Sequence, residues 1–131
     1  MLCTALCLAA CSRDSRVPAS GQTRVVFVHQ PLWGDPAPFT ALLDDFRRAH
    51  PEIALETQLL PNDSDVAHQY FLTSLEGGSA DLDVFVADVV WVPEFARAGW
   101  IVDLTEAFPL DDDFLPGARD AVTVEGKTWA V

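Results

Sequence analysis

An α/β fold with a mostly parallel sheet is predicted by three features of this sequence. β-prone apolar runs alternate with helix-patterned runs, proline- and glycine-rich segments punctuate them, and the third β-prone run is short and wholly apolar. Arg24 to Val28, RVVFV, reads as a first strand, and the loop HQPLWGDPAP after it is marked by three prolines and a glycine. Phe39, Leu42, Leu43 and Phe46 recur at i, i+3, i+4 and i+7, the apolar face of an amphipathic helix. That helix should end near His50, because Pro51 disfavours helical backbone in the residue before it. Ile53 to Leu60, IALETQLL, alternates as a second strand. Asn62, Asp63, Ser64 and Asp65 offer N-caps for a helix over Val66 to Leu75, which Gly77-Gly78 stops; Asp65 is expected to cap rather than to bind ligand. Val84, Phe85 and Val86 form the third strand, expected to be covered on both faces. The order β-α-β-α-β predicts right-handed crossovers. Further on, Pro93 suits a first helical turn, Glu94 to Ala98 continue it, and Gly99 fits the position just past its end. Trp100 is expected in the core. Val122 to Val131 reads as a hairpin turning at Glu125-Gly126. No internal repeat is visible.

Composition narrows the function classes. The chain has 131 residues, half of them hydrophobic, enough for one domain with a real core. Twenty acidic residues against eight basic ones give a net charge of −12, and no basic patch offsets them, which argues against nucleic acid as a partner. No apolar run approaches the roughly 18 to 20 residues of a membrane-spanning helix, so the body of the chain is expected to be soluble. His29, His50 and His68 lack metal-ligand spacing, and no phosphate loop or nucleophile elbow is present, so neither metal nor cofactor is expected.

The cysteines point to processing. Cys3, Cys7 and Cys11 all lie in the first eleven residues, followed by a polar stretch from Ser12 to Thr23. Leu8-Ala9-Ala10-Cys11 resembles the bacterial lipobox, in which cleavage before a diacylglycerol-bearing cysteine leaves it as the new N-terminus. The expected division is a lipoprotein signal peptide at 1–10, a lipid-anchored linker at 11–23 and the folded lobe at 24–131. A metal cluster or a helical face of small residues is the competing reading, against which stand the lack of a CxxC pair and of a nearby histidine. No Lys or Arg precedes Cys11, so a true start further upstream is expected.

The segment from Asp83 to Leu104, DVFVADVVWVPEFARAGWIVDL, reads as strand, polar turn and short helix in succession. Ligands of open α/β sheets bind beyond the carboxyl ends of the strands, which puts Asp88 and Trp91 at the rim of a crevice. A carboxylate accepts from sugar hydroxyls and an aromatic plate covers a sugar's C–H face, so the pair suits a polyhydroxylated ligand. Two structural roles compete with these: Asp88 as an N-cap, and Trp91 packed between helix and sheet.

These residues carry a resemblance. Ser74 to Gly77, Asp83 to Trp100, Phe114 to Gly117 and Gly126 to Val131 together are similar to the N-terminal lobe of the family 1 extracellular solute-binding proteins of ABC importers, especially trehalose/maltose-type members. The similarity extends over about residues 24–131. It implies a periplasmic-binding-protein-like lobe, a clamshell that closes on sugar about a hinge, and presentation of the loaded form to the permease subunits. In the family the segment resembling Gly126 to Val131 leads into a second lobe. That lobe is absent from this sequence, which ends in an apolar, strand-like run and is expected to be truncated.

By the same resemblance the turn matching Asp88 to Trp91 contributes to the sugar cleft, and the loop after the first strand nominates Gln30 and Trp33. A Pro-fixed surface loop with Trp33 partly tucked in is the competing reading. The function expected is capture of a sugar, such as trehalose or maltose, by an extracytoplasmic protein without catalysis, held to the bacterial cell membrane only by its N-terminal lipid. Two alternatives stay open: the same fold carrying a polyamine, metal or oligopeptide, and a carbohydrate-active enzyme working through two carboxylates. Nothing singles out a carboxylate pair for the enzyme.

Overall fold

A computed structural model describes residues 21–111 and 113–131. The cysteines and the signal and lipidation features assigned to them lie outside the described residues. Strand β1 (Thr23–His29) is followed by α1 (Ala37–Ala49), β2 (Ile53–Leu59), α2 (Ser64–Glu76) and β3 (Val84–Phe85). Next come a 3-10 turn at Val89–Trp91, α3 (Val92–Ala98), α4 (Pro116–Val122) and the strands β4 (Thr123–Val124) and β5 (Lys127–Thr128). The first three strands form a parallel sheet in the order β2-β1-β3. The alternation read from the sequence is therefore the architecture.

The pleat sorts the side chains of β1 to opposite faces. Val26 and Val28 are buried on one face with Leu60, Ala67 and Phe71 of the α2 side and with Trp91 and Phe95. Phe27 and His29 point to the other face, where their rings meet Phe39 of α1 at 6.1 and 5.0 Å. Phe71 and Phe95, both fully buried, anchor the main core, and Phe85 of β3 lies 4.7 Å from Phe71. Either Phe truncated to Ala would cost about 3–5 kcal/mol.

Three sequence expectations are corrected. β3 is not covered on both faces: Val84 is 50% exposed, because its register partner is Phe27 and it therefore lies on the α1 side, which is only partly covered. The strand is short, and Asp83 extends its ladder with a side chain, Oδ2 accepting from the Val26 amide at 2.8 Å. α1 forms where its periodicity places it but buries no residue, with Leu42 63% exposed. Among the four cap candidates Asp63 is the one used, its Oδ1 accepting from Val66 N at 3.0 Å, while Asp65 lies inside the first turn.

The terminal elements follow local chemistry. Gly99 ends α3 at φ 71°, a left-handed cap that needs a glycine. The hairpin turns at Glu125 and Gly126, both at positive φ (54° and 79°), as a two-residue turn matched to strand twist requires. Helix α4, starting at Pro116, has no counterpart in the sequence reading; its seven residues are too few to show a period. Leu104 N donates to Thr128 O at 2.8 Å, fastening the hairpin to the chain beyond α3.

Candidate functional site

The order β2-β1-β3 fixes where the sheet can hold a ligand. The chain leaves β1 toward β2 and then crosses back to β3, so the strand order reverses between β1 and β3. At such a switch point the loops after the two strands part, leaving a crevice at their carboxyl ends. Those loops are 30–36 after β1 and 86–88 after β3, the two segments that carry Gln30, Trp33 and Asp88. Since Val28 pairs with Phe85, Gln30 stands two residues beyond the paired position and Asp88 three.

The β1 loop is tethered at its base and free at its tip. Leu60 N donates to His29 O at 2.8 Å, and Gln30 Nε2 donates to Pro61 O at 3.1 Å, joining this loop to the one after β2. Gln30 thus has one amide hydrogen committed to the backbone. Gly34 at φ 91° turns the loop, and Asp35 Oδ1 accepts from Ala37 N at 2.9 Å to start α1. Between these fixed points the Trp33 side chain is left in solvent at 95% exposure, which the tucked-in reading did not anticipate.

Asp88 serves a local purpose and keeps spare capacity. Its backbone is extended, and its Oδ1 accepts from Val90 N at 3.3 Å, capping the 3-10 turn. Trp91 N completes the turn by donating to Asp88 O at 3.0 Å. The side chain is exposed, and among the described residues only Oδ1 has a hydrogen-bond partner. An exposed carboxylate with an open oxygen at a strand end can accept from a ligand hydroxyl. Val89 and Val90 beside it are 51% and 69% exposed and give the rim an apolar surface.

Trp91 is brought to the same turn but faces inward. It is 7% exposed, with ring neighbours His68 at 5.1 Å, Phe71 at 6.0 Å and Phe95 at 6.4 Å. Of its two sequence readings this geometry supports packing: the indole backs the turn rather than lining the crevice. Trp100 is partly buried against the same cluster. Sequence reasoning missed His68, whose Nε2 lies 2.8 Å from Glu94 Oε2. Its position at the start of an apolar helix, 26 residues from its partner, gave no local signal.

No group of His, Cys, Asp and Glu among the described residues could hold a metal ion. No helix among them is long and apolar enough to cross a membrane.

A parallel sheet with a switch point, with a carboxylate and an exposed indole on the loops beyond it, defines an α/β lobe of the kind that takes ligands at its strand ends. The chain belongs to the bacterial extracellular solute-binding proteins, the family matched by residues 30–130. Membership implies an extracytoplasmic location.

Among solved structures it is similar to the GacH receptor of Streptomyces glaucescens GLA.O, determined unliganded and with acarbose and an acarbose homolog, at 32% identity and TM-score 0.72. The match covers 84% of this chain and 28% of GacH. It is also similar to maltose-bound MalE3 of Thermotoga maritima, at 29% identity and TM-score 0.70, over 80% of this chain and 27% of that one. An ABC transporter solute-binding protein of Agrobacterium vitis S4 with bound D-mannitol matches at 25% identity and TM-score 0.67, over 80% and 25%. An uncharacterized protein in the bglA 3′ region of Thermotoga maritima is 35% identical over 54 residues, 41% of this chain and 55% of that protein. The chain thus spans about a quarter of its structural relatives and about half of the curated one.

Proposed function

We propose that this chain is the N-terminal lobe of the substrate-binding component of an ABC carbohydrate importer. The lobe captures a sugar, such as the disaccharides trehalose or maltose, in a cleft against a second lobe and delivers it to the permease. The observation that carries this reading is the strand order of a solute-binding fold, in which the loops bearing Trp33 and Asp88 follow the two neighbouring strands at the switch point. The carboxylate accepts hydroxyls through charge-assisted bonds, and the indole covers an apolar sugar face. The polyhydroxylated ligands of the three structural relatives, acarbose, maltose and D-mannitol, support a sugar cargo. Gln30 contributes its remaining amide hydrogen, and Trp91 holds the wall from behind. That the family and its structural relatives are binding proteins supports a lobe that binds without catalysis.

Calorimetric titration of the two-lobed parent with a panel of disaccharides tests the assignment. Saturable binding of at least one of them is the expected result; binding of a polyamine or oligopeptide with no response to any sugar would overturn it.

The reading includes an anchor at Cys11. Each buried methylene contributes about 0.8 kcal/mol, so several acyl chains hold firmly. Growth with labelled fatty acid should label the wild type and leave Cys11→Ser unlabelled. Equal labelling of both removes the anchor.

A further inference from the structure

We infer that His68 is a positioning residue for the ligand turn, holding the segment from Asp88 to Glu94 against α2 from behind the cleft. The inference rests on the assignment of the Asp88 turn to the cleft. Three contacts carry it. The imidazole lies nearly parallel to the Trp91 ring, at 5.1 Å and 23°, and to the Phe95 ring, at 5.9 Å and 23°. Its Nε2 is 2.8 Å from Glu94 Oε2. The contact with Glu94 at one ring edge and the near-parallel Trp91 ring together fix the imidazole's orientation, its face toward the indole. Among the described residues this is the side-chain hydrogen bond that joins α2 to the 3-10 turn or to α3.

The consequence lies in how the turn is otherwise held. Upstream, Val86 N donates to Val28 O at 3.0 Å, the last ladder bond of β3. Beyond it Asp88 is secured by its own cap to Val90, a long bond at 3.3 Å, and by Trp91 N at 3.0 Å. The direction of the Asp88 carboxylate therefore follows the placement of Trp91, three positions along a single 3-10 turn. His68 holds the far end of that turn by the ring face of Trp91 and the start of α3 by the carboxylate of Glu94. Its side chain is 29% exposed, so it is a bracket at the edge of the core and not part of its centre.

The test compares the full-length protein with His68→Leu, which removes both holds, His68→Phe, which keeps the stacked ring, and His68→Gln, which keeps a donor for Glu94. Amide exchange at Val90 and Trp91 is read against Leu60, whose amide is bonded within the sheet. Expected is about tenfold faster exchange at Val90 and Trp91 in His68→Leu with Leu60 unchanged, and partial recovery in His68→Phe and His68→Gln. A uniform rise that includes Leu60, or no change at Val90 and Trp91, would overturn the inference, and His68→Phe provides the same reading should His68→Leu fail to fold. Maltose is the ligand probe. Its dissociation constant should rise several-fold in His68→Leu and recover in step with the amides, and an unchanged constant beside loosened amides also overturns a role in positioning. A wild type that binds no maltose or other disaccharide would refute the sugar reading alone, because the exchange pattern is measured without ligand.

Discussion

At the residue scale, Asp88 caps the 3-10 turn and is the proposed acceptor of a ligand hydroxyl, two roles that a substitution can separate. As a cap it needs an oxygen near Val90 N, and Asn supplies one as well as Asp does. As a ligand acceptor it needs its charge and its second oxygen, and Asn converts that second position into a donor. Asp88→Asn in the two-lobed parent should therefore leave the melting temperature nearly unchanged. It should weaken sugar binding by about 1.5–3 kcal/mol, roughly ten- to a hundredfold. Asp88→Ala should lose affinity too and, in addition, about 0.5–1 kcal/mol of stability from the cap. Titration of the preferred sugar and thermal unfolding of each variant check both halves. Affinity that survives both substitutions removes Asp88 from the site and leaves Trp33 and Gln30 to carry it.

Among elements, the segment linking α3 to the hairpin is held by a small polar cluster whose strength depends on pH. Asp103 Oδ1 accepts from the Thr105 hydroxyl at 2.6 Å and from its amide at 3.0 Å, and Asp103 Oδ2 pairs with Lys127 Nζ at 2.9 Å. Thr105 Oγ1 in turn accepts from Thr128 N at 3.0 Å, so the cluster spans loop and strand β5. The Thr105 hydroxyl first, and then Lys127, hold the Asp103 carboxyl down from its ordinary 3.8 to about 2. A depressed carboxyl contributes its stability above its unfolded value and loses it as pH falls through the folded one. Lowering the pH from about 4 toward 2 should therefore accelerate amide exchange at Leu104 and Thr128 in the wild type beyond the intrinsic change. Asp103→Asn should show loosened amides already at neutral pH and no further step over that window; identical profiles would place the hold on the hairpin elsewhere.

The same scale shows what was legible in the sequence. β1, β2 and α2 carry enough periodic residues for composition and turn signals to place them within two residues. Gly99 and Glu125-Gly126 were legible because positive φ leaves few residue choices. Other features depend on tertiary placement. Val84, Phe85 and Val86 read as doubly covered because an apolar triplet carries no record of which face its neighbours leave open. Trp91 read equally as a cleft or a core residue because a 3-10 turn, not foreseen, decides which way its side chain points. The strand-end rule led to Asp88 and the family resemblance to the β1 loop, whereas the His68 bracket had no signal, since its partner Glu94 lies 26 residues away.

For the whole molecule, the decisive fact is that one side of the sheet is only partly covered. Phe39 packs on Phe27 and His29, yet Leu42 and Leu59 are each 63% exposed and Val84 is 50% exposed on the same side. The chain spans 28%, 27% and 25% of the lengths of GacH, MalE3 and the Agrobacterium vitis protein. The proposed cleft is open in the same sense, because Asp88 and Trp33 would meet a ligand from one side only. Water then stays on the opposite side, and each sugar hydroxyl exchanges one hydrogen bond for another at a net gain of only about 0.5–1.5 kcal/mol. In that cleft the indole would likewise cover one face of a pyranose. Closure of a second lobe in the parent would exclude that water and add contacts that the open lobe lacks. Residues 1–131 alone should therefore bind any disaccharide far more weakly than the two-lobed parent, by at least two of the tenfold steps that each correspond to about 1.4 kcal/mol. Paired calorimetric titrations of both proteins with the same sugars decide this, and comparable affinities would show that the cleft is complete within these residues.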